Sequence, residues 1–83
     1  MKNIVILSAK RTPMGSMQGV FSPLAAHELG AVAIKAAVAE AGIKPDAAGD
    51  LFMGCVLPAG QGQAPARQAA VGAGVATSVP CTT

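Results

Sequence analysis

Residues 60–83, GQGQAPARQAAVGAGVATSVPCTT, decide how this chain is read. Two glycines alternate with glutamine at 60–63, and Pro65 then sets the φ angle of a first helical residue without giving up a hydrogen bond, because that N–H has no intrahelical partner anyway. An alanine-rich run follows and meets glycine at 72 and 74, residues suited to a helix end. The segment at 77–83 carries Val79, Thr82 and Thr83 around Pro80 and Cys81, which reads as a strand. The stretch is therefore a Gly-rich loop, a short helix and a strand.

Working toward the amino end, Asp50-Leu51-Phe52-Met53-Gly54-Cys55-Val56-Leu57 reads as another strand, ending at Pro58 and apolar enough to be buried. Before it, Glu28 and Lys35 share one narrow polar stripe of a helix. Leu29, Val32, Ala33, Ala36 and Ala37 form a wide apolar arc, extended by Ile34 and Val38. Ser22 followed by Pro23 marks this helix's start, and Gly42 with Pro45 marks its end after Ala41. Its alanines invite another backbone to approach closely, and the width of its arc predicts near-complete burial. Residues 11–23 are loop-like, and Ile4-Val5-Ile6-Leu7, apolar at every position, predicts a strand buried on both faces. The expected order is β-α-β-α-β, an α/β piece whose βαβ units are right-handed and parallel.

The composition fits elements that lie inside a larger body. Of 83 residues, 52% are hydrophobic and 12% charged, with two Phe and no Trp or Tyr; an ordinary domain carries about 25% charged residues. Six basic and four acidic residues give a net charge of +2 and are scattered, so no basic face is offered to nucleic acid. The uncharged stretches 51–66 and 68–83 are broken by Gly and Pro and fall short of the roughly 20 apolar residues of a membrane span. No signal peptide is read at the start, which places the protein in the cytoplasm.

Few residues invite chemistry. Cys55 and Cys81 make neither a disulfide scaffold nor a zinc site, and both read as small buried hydrophobes. Gly60-Gln61-Gly62 lacks the lysine and hydroxyl of a phosphate loop, and Gly15 and Gly19 do not join a strand directly to a helix. His27 stands alone in a first helical turn, and four carboxylates are too sparse to nominate an acid–base pair.

Four segments, IVILSAKRTPMGSMQGVFS, ELGAVAIKAAVAEAGI, FMGCVLPAGQGQAPARQAA and SVPCTT, resemble in order and separation the N-terminal part of the thiolases, among them the acetyl-CoA C-acetyltransferases. The likeness runs from Asn3 to Thr83. Its most specific elements are Arg11-Thr12-Pro13 with Gly15, and the Gln63-x-Pro65-Ala66-Arg67-Gln68 block. The resemblance implies a layered αβαβα fold of which residues 1–83 are the first part of the first domain. It implies an enzyme that joins two acetyl-CoA into acetoacetyl-CoA and CoA, or runs the reverse, with coenzyme A thioesters as substrates and no cofactor or metal. The family's nucleophilic cysteine lies at the start of the helix after the VP-x-TT strand, so Cys81, inside that strand, is not the nucleophile. No catalytic residue falls within 1–83, and the expected partner is the remaining C-terminal part of the chain.

The family strand at 77–83 lies at a two-fold contact, which makes Gln63, Arg67 and Cys81 candidates for the interface of a homo-dimer or homo-tetramer. Family members often place Asn where Ala64 stands, so a helix cap is missing here unless Gln63 or a water replaces it. The alternative function is a non-catalytic interaction module that binds another protein through the apolar helix and an open strand edge.

Overall fold

The computed structural model describes residues 3–16, 18–57 and 59–83. Pro58, the expected end of the second strand, lies outside the described residues, as does Met17 of the early loop. In chain order the elements are α1 (Ala26–Ala41), a short 3-10 turn (Pro45–Ala47), β1 (Leu51–Phe52), α2 (Pro65–Gly72) and β2 (Cys81–Thr82). β1 and β2 pair in parallel, with Leu51 opposite Cys81 and Phe52 opposite Thr82. The ladder is carried past the strand ends by Leu51 N–H donating to Pro80 C=O at 2.9 Å and Met53 N–H donating to Thr82 C=O at 2.8 Å. The parallel α/β arrangement expected from the sequence is therefore present, with α2 as the crossover.

Four expectations are corrected. Residues 4–7 form no strand, and Ile4 is 97% exposed. A β-branched run favours extended backbone, but a strand also needs a neighbour for its N–H and C=O groups, and among the described residues none hydrogen-bonds to the backbone of 4–7. The amino-terminal segment instead follows the far half of α1. Ser8 Oγ donates to Ala37 C=O at 2.6 Å, and Lys10 Nζ meets Glu40 Oε2 at 2.8 Å. The second and third strands are also shorter than 50–57 and 77–83, and Val56 is 92% exposed. Among the described residues the parallel ladder ends at the bond from Met53 to Thr82, and the Gln61 side chain, not a strand, meets Cys55 and Leu57 beyond it.

Helix α1 begins at Ala26 rather than Pro23. Tight turns come first, with Gly19 N–H donating to Ser16 C=O, Ser22 N–H to Gly19 C=O and Leu24 N–H to Phe21 C=O. Ala25, which has no capping side chain, precedes the helix, and its C=O accepts from the N–H groups of Glu28 and Leu29. The other end is as expected: Gly42 adopts φ +72 and donates its N–H to Ala39 C=O.

No residue of α1 is buried, and Val32 is 61% exposed. One neighbouring helix covers a stripe and not a wide arc. The stripe that is covered bears out the close approach read from small residues. A Cβ placed on Gly30 would lie 3.3 Å from Ala69 Cβ, and one on Gly72 would lie 3.2 Å from Ala31 Cβ. The buried residues among those described, Pro65, Ala66, Ala69, Ala70, Ala73, Val75 and Val79, are all small, and α1, β1 and β2 contribute partly buried Ala31, Ile34, Leu51 and Cys81 around them.

Candidate functional site

A connected set of hydrogen bonds gathers where the amino end of α2 meets the far end of β2. Ala64, the residue before the helix, has φ +48 and ψ +68, a left-handed conformation that costs a residue with a Cβ about 1–2 kcal/mol. It makes no side-chain cap. The cap comes from across the fold: Thr83 Oγ1 accepts a 3.1 Å bond from the N–H of Ala66, a residue with no exposed surface. Thr83, rather than Gln63, supplies it. Sequence inspection missed Thr83 because a contact across 17 residues leaves no local pattern.

Gln68 fixes the loop ahead of the helix. Its Nε2 donates to Gln61 C=O and to Gln63 C=O, each at 2.7 Å. Gln61 in turn donates from Nε2 to Leu57 C=O at 2.9 Å and makes a long 3.5 Å contact to Cys55 Sγ. The glycines at 60 and 62 take positive φ between these anchors.

Of the candidates read from the sequence, Gln63 is exposed beside this loop. Arg67, also exposed, donates from Nη1 to Thr77 C=O at 3.3 Å, tying α2 to the segment that leads into β2. Cys81 lies in β2, half-buried against the small-residue core, with Sγ donating to Val79 C=O at 3.5 Å. The structure thus brings Arg67 and the approach to Cys81 together on one side of α2, with Gln63 at the helix entrance. Cys55 is half-buried too, and both thiols are free.

These contacts position backbone. The thiols are bonded to an amide and a carbonyl, neither of which is a base. Among the described residues no three His, Cys, Asp or Glu side chains gather as metal ligands. His27 lines a groove of about 710 Å³ between the helices, with Glu28, Val32, Arg67 and Val71 among its walls. Thr12, Pro13 and Gly15 of the early loop line a smaller hollow of about 340 Å³ with Phe21 and Leu29. Among the described residues no helix is long and apolar enough to cross a membrane.

Comparison with known proteins gives this arrangement its context. The sequence family described as "Thiolase, N-terminal domain" matches residues 4–83. The chain is 58% identical to acetyl-CoA acetyltransferase B, mitochondrial, of Xenopus laevis, and 51% identical to acetyl-CoA acetyltransferase of Cupriavidus necator; both alignments span all of this chain. It covers 20% of the first relative and 21% of the second, so it spans about a fifth of the length of the curated relatives it matches. Among solved structures, the Acat5 thiolase of Ascaris suum, crystallised in complex with coenzyme A, superposes with a TM-score of 0.90 at 37% identity, over 94% of this chain and 21% of that one.

Proposed function

This chain belongs to the thiolase family, and from that premise we propose that it is the N-terminal segment of an acetyl-CoA C-acetyltransferase, contributing scaffold and performing no chemistry alone. The reaction proposed for the whole protein is the joining of two acetyl-CoA into acetoacetyl-CoA and CoA, or the reverse cleavage. One observation carries this reading: 58% identity to an acetyl-CoA acetyltransferase, sustained over every residue of the chain. The exposed apolar positions support it, because Ile4, Ile6, Val56 and Leu57 are surfaces that the remaining four-fifths of such a protein would cover.

Within that protein, β2 has an unpaired outer edge among the described residues. We assign Gln63, Arg67 and Cys81 to a contact between copies in a homo-dimer or homo-tetramer, formed along this edge. The two free thiols suit a reducing compartment, and the cytoplasm, with a part in fatty-acid metabolism, is the setting proposed.

A chimera tests the proposal. Residues 1–83 replace the matching segment of the Xenopus laevis relative, and CoA-dependent cleavage of acetoacetyl-CoA is followed for the chimera and for residues 1–83 alone. An active chimera and an inactive short chain are expected. Turnover by the short chain, or a folded but inactive chimera, overturns the reading.

A further inference from the structure

We propose that Thr83 is a positioning residue whose hydroxyl, by holding the amino end of α2, fixes the direction in which the chain leaves β2 and so sets the geometry of the reaction proposed above. The inference rests on that reading for its activity and on the structure for its mechanism. Two consecutive residues are tied to two different elements: Thr82 C=O accepts from Met53 N–H beside β1, and Thr83 Oγ1 accepts from Ala66 N–H in α2. A strand end held on one side can swing about that tether; one held on both sides cannot.

The α2 side of the juncture is itself well fixed. Ala66 is fully buried, so its N–H has no water to turn to if the hydroxyl is removed. Ala64 supplies no cap of its own, and Gln68 locks the loop in front of the helix. Thr83 therefore does two separable things. It satisfies a buried donor, which is a matter of stability, and it joins β2 to α2, which is a matter of geometry. A residue elsewhere could replace the first contribution but not the second.

The experiment uses the chimera. Thr83→Val keeps the shape of the side chain and deletes its acceptor, and Thr83→Ser keeps the acceptor. The expected result is a kcat lowered about tenfold in Thr83→Val, with KM for acetoacetyl-CoA changed less than twofold and a lowered melting temperature. Thr83→Ser is expected within twofold of the parent in kcat. Adding Ala64→Asn, which relieves the strained residue next to the same helix, is expected to recover part of the melting temperature lost in Thr83→Val while kcat stays low. Thr83→Val within twofold of the parent in kcat overturns the inference. So does recovery of kcat together with melting temperature in the double variant, since the hydroxyl would then serve stability alone. If Thr83→Val is too unstable to assay alone, the double variant against Ala64→Asn gives the same comparison. An inactive parent chimera overturns both this inference and the acetyltransferase reading, whereas an active parent with an indifferent Thr83 overturns this one only.

Discussion

Ala64 offers a direct test of the backbone described here. Its φ of +48 places a Cβ in the left-handed region, and its side chain is exposed, so substitution changes backbone preference without disturbing packing. The strain is about 1–2 kcal/mol. Glycine removes it but returns about 0.4–1 kcal/mol through the greater freedom of the unfolded chain, leaving a gain of about 0.5–1 kcal/mol. Asparagine keeps a Cβ, yet its short polar side chain is among those best tolerated at positive φ, so Ala64→Asn is expected to gain a similar amount. Valine, branched at Cβ, is expected to lose about 1 kcal/mol. At about 2–4 °C per kcal/mol for a larger domain, Ala64→Gly and Ala64→Asn should raise the melting temperature of the chimera by roughly 1–4 °C, and Ala64→Val should lower it by a comparable amount. Far-UV circular dichroism melting reads all three. A valine variant as stable as the parent, with a glycine variant below it, would refute the left-handed assignment.

Other outcomes follow from single contacts. Gln68→Leu removes both Nε2 bonds to the loop carbonyls while keeping most of the side chain's bulk. A loss of about 1 kcal/mol is expected, together with faster amide exchange across residues 59–64; unchanged exchange there would show that the glycines hold the loop unaided. The Lys10–Glu40 pair is 2.8 Å long, but its side chains are 44% and 51% exposed. A double-mutant cycle with Lys10→Ala and Glu40→Ala should give a coupling below about 0.5 kcal/mol, and a coupling above about 1 kcal/mol would mean that the pair is shielded from solvent in the assembled protein.

Legibility in the sequence followed the range of each interaction. Gly42 after α1, Pro65 at the start of α2 and the glycine at its end are local signals, and the structure places them as read. That another backbone would approach α1 closely was legible in its alanines, whereas the partner, α2, and the contact positions, Gly30 and Ala31, were not. The IVIL run misled because β-branched residues announce an extended backbone without naming its neighbour, and residues 4–7 have no ladder among the described residues. Ser22-Pro23 misled because the same residues also serve tight turns, which Ser16, Gly19 and Phe21 complete. In the candidate site, Gln63, Arg67 and Cys81 came from a family resemblance, whereas Thr83 and the left-handed Ala64 left no local trace. A hydroxyl 17 residues from its donor and a positive φ at alanine become visible only when the chain is folded.

The pairing of Leu51 with Cys81 also sets a timetable for biosynthesis. Helix α1 is made first, but none of its residues is buried, and the face it offers α2 has to wait for Ala69 and Gly72. The sheet waits longer still, since β2, the mate of β1 among the described residues, follows it by about thirty residues, and the hydroxyl that steadies α2 comes after both strands. A ribosome-bound intermediate short of that point would display most of its oily residues to solvent, the kind of nascent segment that chaperones hold.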